Sequence, residues 1–191
     1  MEDLKAYFNA ISVLKESTWD RVLPFFKEEK LLKNEYFAEE NKTASQIAFL
    51  KDGVVRAFFI NQEGKDYNKQ FFVGPSIIGA YTSLLTGNVN LIAQQALTEC
   101  VVYTCDYKSL TNLFDQCPDL ERFARKIAEH YFLEKEKKEI EIVLLDASQR
   151  YTLFKRDFPT LEQLIPQFHI ASYLGVSATQ LSRIRRQFVS K

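Results

Sequence analysis

The sequence predicts an α+β fold: a small β-barrel or roll, then a long helix, then a helical C-terminal domain. Three observations carry this. Apolar residues recur at helical spacing up to about Leu31, give way to short runs rich in β-branched and aromatic residues, and return to helical spacing at Tyr107. Gly-bearing turn signals separate the short runs, as in a small closed sheet. From Gln167 onward, small and apolar residues have the spacing of two helices meeting across a tight turn.

Taken in order, the first stretch places Leu4, Phe8 and Ile11, then Trp19, Val22, Leu23 and Phe26, three and four apart, which predicts helices. The strand candidates are 47–50, 54–60, 69–73, 76–78, 91–97 and 100–107, with turns at Lys51-Asp52-Gly53, Asn61 to Gly64 and Gly74-Pro75. Six to eight strands would fit within residues 31–108, with a short helix at Ala80–Leu85. Sixteen Phe and nine Tyr suit such a sheet, because aromatic side chains fit its half-buried surface.

Asp119 is the expected cap of a long helix reaching about Leu145. Its stripe of Leu120, Phe123, Ala124, Ile127 and Tyr131 is followed by a heavily charged run. The helix carries more apolar surface than one barrel would cover, which predicts pairing with a second copy as a homodimer. Asp146 and Gln149 then resemble a capping box opening a helix that ends before Pro159, and a short turn at 161–165 stops at Pro166. The expected parts are residues 1–118, 119–145 and 146–191.

In the last part, Ala171 is the small residue where two helices touch and Gly175 supplies the turn. Ile170, Leu174, Val176, Leu181 and Ile184 make the inner faces. Ser177 is the expected N-cap of the second helix, whose amide end can approach a phosphate. The period of 3.6 then turns Ala178, Thr179, Ser182, Arg183 and Arg186 outward. That face suits the major groove of double-stranded DNA, and Arg183 is the residue expected to read a guanine edge through two hydrogen bonds. Thr179 and Gln180 add contacts, while Arg185, Arg186 and Gln167 are expected on phosphates, which position without specifying.

Charge distribution agrees with this. The net charge is zero, but residues 150–191 carry seven Lys/Arg against two Asp/Glu, a net +5 on an acidic remainder. No apolar run of membrane-spanning length and no secretory pattern at the N-terminus is visible, so a cytoplasmic protein without a membrane partner is expected. Cys100, Cys105 and Cys117 lack metal-ligand spacing and read as reduced core thiols. No metal or other cofactor is expected.

The order of parts, together with the strings FLKDGVVRAFFINQEGKDY, FVGPSIIGA, DASQRY and above all IPQFHIASYLGVSATQLSRIRR, resembles the CRP/FNR family of bacterial transcription regulators, in particular the branch common in Bacteroidetes. The resemblance implies a jelly-roll-like β-roll of the cyclic-nucleotide-binding type, a long dimerisation helix, a palindromic operator and RNA polymerase as a partner. Family members that sense cyclic AMP carry a Gly-Glu pair and, ten residues after the Glu, an Arg-Ser pair. Here Gly79 is followed by Ala80, and Asn90 and Leu91 stand at the second pair. With Tyr81 and Thr82 these residues outline a degenerate effector pocket. Alanine cannot accept from a ribose hydroxyl and asparagine cannot offset a buried phosphodiester charge, so cyclic AMP is not an expected ligand.

The oxygen-sensing branch needs four cysteine ligands, and only three cysteines exist. His130 and His169, which could suggest haem, read as structural residues. Where the family adds a β-hairpin wing after the second helix, this sequence stops at Lys191, so no wing is expected. A metal-dependent barrel enzyme is disfavoured because both histidines lie outside the barrel. The alternative left open is a sensor or adaptor whose roll binds an unidentified small molecule and whose helix-turn-helix contacts another protein.

Overall fold

A run of charged residues opens the roll. In a computed structural model, which describes residues 1–189, the sequence KEEKL forms β1 (Lys27–Leu31) although it has almost no apolar signal. It is an edge strand, paired antiparallel to β8 (Cys100–Asp106) with Lys27 opposite Thr104 and Leu31 opposite Cys100. Charged side chains keep such an edge from pairing with other chains. The remaining strands are β2 (Tyr36–Ala38), β3 (Gln46–Asp52), β4 (Val54–Ile60), β5 (Asp66–Val73), β6 (Ser76–Ile78) and β7 (Ala93–Ala96). They form two four-stranded sheets, ordered β1-β8-β3-β6 and β2-β7-β4-β5.

Alternation along β3 and β8 divides the core. Phe49, Tyr103 and Cys105 face one cluster, while Ala48, Leu50, Cys100 and Val102 face another inside the roll with Val55, Ile78 and Ala96. Both faces of these strands are covered, which is why they read as near-continuous apolar runs. The outer cluster is closed by α1 (Glu2–Ile11), α2 (Glu16–Val22) and the first turns of a long helix, through Leu4, Phe8, Trp19, Leu120 and Phe123. Phe8 stacks on Phe123 with ring centroids 3.8 Å apart.

The register between β3 and β8 shifts between Leu50 and Asp52, beside a turn that only glycine fits. Gly53 has φ +101°, and a Cβ there would lie 2.6 Å from both Cys100 Sγ and the Glu99 carbonyl oxygen.

Beyond the strands lie α3 (Tyr81–Thr86), α4 (Tyr107–Thr111), α5 (Pro118–Leu144), α6 (Ala147–Asp157), α7 (Leu161–Leu164), α8 (Gln167–Leu174) and α9 (Ala178–Val189). Asp119 does not occupy the cap expected from its position. The helix begins at Pro118, a residue suited to a first turn, and Asp119 lies buried within that turn. Its carboxylate accepts the Lys15 amide at 2.8 Å and the Thr18 hydroxyl at 2.9 and 3.0 Å, tying the start of α2 to the start of α5. Burial alone would raise its pKa, but these donated hydrogen bonds outweigh burial and hold the carboxyl below its ordinary value.

The chain divides into two compact units. One comprises Met1–Ala57 and Phe71–Phe132; the other comprises Phe58–Gln70, the tip of the β4–β5 hairpin, together with the chain from Leu133 onward. These limits differ from those expected at 118 and 145, because the long helix contributes to both units and the hairpin tip bonds to α8. Ser190 and Lys191, and with them the expectation about a wing, lie outside the described residues. Among the described residues no helix is long and apolar enough to cross a membrane.

Candidate nucleic-acid interface

The second unit builds its interface from caps outward. Asp146 Oδ1 accepts the Gln149 amide at 2.8 Å and Gln149 Oε1 accepts the Asp146 amide at 2.9 Å, a complete capping box that starts α6. At the end of α8 the Val176 amide donates to the Ala171 carbonyl at 3.0 Å and the Gly175 amide to Ser172 at 3.2 Å. This is the Schellman arrangement, and it needs the left-handed φ of +68° that Gly175 adopts. One residue later Ser177 Oγ accepts the Gln180 amide at 3.1 Å, and Gln180 Oε1 accepts the Ser177 amide at 2.9 Å. A second capping box therefore starts α9, and the Gln180 side chain serves the cap.

Behind these turns Ile170, Ala171, Leu174, Leu181 and Ile184 are buried with Tyr151, Phe154, Leu161 and Ile165. Burying that stripe leaves Ala178, Thr179, Arg183 and Arg186 exposed on α9, with Ser182 half-buried; Gln167 is exposed at the start of α8. Arg183 makes no hydrogen bond or ion pair with any other described residue, so its guanidinium is available. The helix carries Arg183, Arg185 and Arg186 and no acidic residue.

Arg185 lies elsewhere. Its Nε is 3.3 Å from Glu162 Oε1, the same oxygen that accepts the Tyr151 hydroxyl at 2.8 Å. The guanidinium thus holds α9 against α6 and α7, where the sequence expectation was a phosphate contact. Burial, then Glu162, pushes the Tyr151 phenol up to about 12. Arg150 closes the back of the domain, donating to the Leu145 carbonyl at 2.6 Å and the Leu174 carbonyl at 3.1 Å, so one guanidinium caps the ends of α5 and α8.

The hairpin tip is fastened to α8. The Asn68 amide donates to Ser172 Oγ at 3.0 Å, Ser172 Oγ donates to the Asp66 carbonyl at 2.7 Å, and Asn68 Nδ2 donates to the His169 carbonyl at 3.0 Å. His169 is buried, its Nδ1 3.3 Å from Asn68 Nδ2, while His130 is exposed on α5 beside Tyr131. Among the described residues no three His, Cys, Asp or Glu side chains form a set that could hold a metal ion. Cys100, Cys105 and Cys117 are free and buried; burial, helped by Asp106, pushes the Cys105 thiol up to about 12.

In the first unit, the residues outlining the degenerate pocket are committed to the fold or face outward. The Gly79 carbonyl accepts Gln94 Nε2 at 2.9 Å, and Ala80 is buried. Asn90 is buried with its amide fully used: Nδ2 donates to the Glu39 and Ile92 carbonyls at 3.2 and 2.6 Å, and Oδ1 accepts the Ile92 amide at 3.1 Å. Tyr81, Thr82 and Leu91 are exposed. A cavity of about 160 Å³ opens at the β2–β3 connection, lined by Phe37 to Glu39 and Lys42 to Gln46, and includes none of these six residues.

A two-sheet roll, a long helix and a capped helix-turn-helix in this order constitute the fold of the CRP/FNR regulators. FixK2 from Bradyrhizobium japonicum superposes with a TM-score of 0.77 at 17% identity, over 86% of this chain and 85% of its own. A Eubacterium rectale protein described as a transcriptional regulator of the CRP/FNR family gives 0.73 at 12% identity, over 93% and 84%. The c-di-GMP responsive global regulator CLP of Xanthomonas campestris gives 0.71 at 15% identity, over 92% of both chains. No protein-family model and no curated protein matches the sequence. The chain is therefore CRP/FNR-like in fold.

Proposed function

We propose that the chain is a sequence-specific, double-stranded-DNA-binding transcription regulator that acts as a homodimer and is not gated by cyclic AMP. The observation that carries this is the outer face of α9, where Arg183, unpaired among the described residues, lies between Thr179 and Arg186 while the opposite face is buried. In this reading Arg183 donates two hydrogen bonds to a guanine edge. Ala178, Thr179 and Ser182 lie against neighbouring bases, and the amide end of α9 at Ser177, with Gln167 and Arg186, meets phosphates. Gln180 and Arg185 act from behind, holding the cap and the helix.

One such helix binds weakly, and a second copy supports the reading. Phe132, Leu133, Ile140, Val143 and Leu144 on α5 are each more than half exposed, an apolar surface that pairing would cover. Dimeric readers use half-sites about 34–36 Å apart, hence a palindromic operator. RNA polymerase is the partner that regulation of transcription implies. The absence of a Glu at Ala80 and of an Arg at Asn90, whose amide is already committed to backbone groups, supports a roll without cyclic AMP.

Selection of bound sequences from random duplex DNA, repeated with Arg183→Ala, tests the reading. A palindrome that the variant fails to enrich is expected; enrichment of none would overturn it. Binding should also weaken steeply with salt, as counterion release requires, whereas a protein-binding adaptor would lack that slope. Titration calorimetry with cyclic AMP should give no heat at micromolar concentrations.

A further inference from the structure

The charged run of α5 contains one lysine unlike its neighbours. Lys135 and Lys137 pair across solvent with Glu139 and Glu134. Lys138 instead turns inward: its Nζ donates to the Lys69 carbonyl on the hairpin at 3.0 Å and lies 3.0 Å from the centroid of the Tyr173 ring on α8. One ammonium therefore joins three elements of the second unit. Beneath it, Lys138, Glu141, Arg150, Phe154, Asp157 and Tyr173 help line a cavity of about 20 Å³, room for a single water and no ligand.

We infer that Lys138 is a positioning residue for DNA reading, its amine strapping α8 to α5 and to the hairpin so that affinity responds to the charge on that amine. The inference rests on the DNA-binding reading and deepens it. A dimer formed through α5 can match two half-sites only if each reader keeps a fixed angle to that helix, and Lys138 is where the first reader helix meets it.

The surroundings place the charge change near neutrality. Burial is the dominant effect, Lys69 adds to it and Glu141 opposes it, bringing Lys138 down to about 7. Arg150 and Asp157 of α6 line the same cavity as Lys138, and Glu134 and Tyr67 act electrostatically on Tyr173. Lys69 itself is lowered by burial and by Lys135. Burial and the nearby acids push the Tyr173 phenol upward, so the ring stays neutral and its face stays attractive to a cation. The closed contact therefore favours the neutral amine, which still donates to the Lys69 carbonyl, and the ammonium favours release into solvent.

Affinity and stability then respond in the same sense. The folded pKa lies below the unfolded value, so from pH 7 upward the unfolded chain holds the extra proton and the fold gains stability as pH rises. Opening the strap returns the amine to water in the same way, so the closed strap gains over the open one across the same range. A lysine with a merely structural role would move stability and leave DNA affinity flat.

The test uses the full chain and the selected duplex, with fluorescence anisotropy from pH 6.0 to 8.5 at constant ionic strength. Wild type should tighten about tenfold as pH rises through 7, because closing the strap releases a proton. Lys138→Arg, charged throughout, and Lys138→Met, without the hydrogen bond, should both be weak and flat. Tyr173→Leu, which removes the ring and keeps the amine, should also be weak. Amide hydrogen exchange of α8 without DNA provides the independent readout: protection factors should rise above pH 7 in wild type and not in Lys138→Met. An unchanged profile in Lys138→Met, or no step in exchange, would overturn the strap. A step in exchange without one in DNA affinity would overturn its link to reading, and failure of wild type to bind any duplex would remove the DNA reading itself.

Discussion

Replacing Glu162 by Gln should loosen α9 without touching the face proposed for DNA. Glu162 Oε1 accepts the Tyr151 hydroxyl at 2.8 Å and lies 3.3 Å from Arg185 Nε, joining α6, α7 and α9 at one oxygen. Hydrogen bonds to a charged group contribute about 1.5–3 kcal/mol. The Arg185 side chain is 34% exposed, so its ion pair must be discounted for solvent screening and adds about 0.5 kcal/mol. A glutamine amide oxygen still accepts from Tyr151, which leaves an expected loss of about 1 kcal/mol, and Glu162→Ala should lose about 2 kcal/mol. For a chain of this size those values correspond to melting points lower by about 2–4 and 4–8 °C. The assay is thermal unfolding followed by tyrosine near-ultraviolet dichroism, with Arg185→Met and the double variant closing a mutant cycle. Salt titration of DNA binding completes it: Arg185→Met should keep the wild-type slope, because its guanidinium faces Glu162. A slope reduced by about one would refute the inward assignment and restore Arg185 as a phosphate contact.

Three further outcomes are expected. Asp119 is held below its ordinary pKa near 3.8 by the Lys15 amide and the Thr18 hydroxyl, so the unfolded chain takes up the proton first as pH falls. The stability it contributes is present above about pH 4 and lost below; Asp119→Asn should flatten that acid limb in urea unfolding and lower neutral-pH stability by about 2 kcal/mol. Gly53→Ala should cost more than about 2 kcal/mol in the same assay, since the new methyl meets Cys100 Sγ and the Glu99 carbonyl at 2.6 Å in a backbone conformation that alanine resists. Ile140→Glu, on the exposed face of α5, should shift sedimentation equilibrium from dimer to monomer with little change in melting; a dimer of unchanged affinity would reject that face.

The strands and the helix-turn-helix were legible in the sequence because their signals are local. Gly175 and Ser177 announce a turn and a cap by type and spacing, and the apolar runs of β3 and β8 announce strands covered on both faces. What stayed hidden depends on partners distant in sequence. The segment KEEKL is a strand only because β8 pairs with it, and its charges carry no period. Asp119 has the composition of a cap but meets Lys15 and Thr18, more than a hundred residues away. Lys138 sits in a run of alternating charge that reads as a solvated face, and nothing in that run marks the one side chain that turns toward Tyr173. Arg185 shares a helix and a charge with Arg183 and Arg186; only Glu162 distinguishes it.

The hairpin tip at Phe58–Gln70 belongs to the unit that holds the helix-turn-helix, so that unit is not a contiguous stretch of chain. An excised fragment beginning at Leu133 would lack the Lys69 carbonyl and the backbone and side chain of Asn68, leaving the Lys138 ammonium and the Ser172 hydroxyl without those partners. Moving this helix-turn-helix into another host is therefore a two-segment graft, in which the host must accept thirteen foreign residues in its own sheet before the transplanted helices find their usual support.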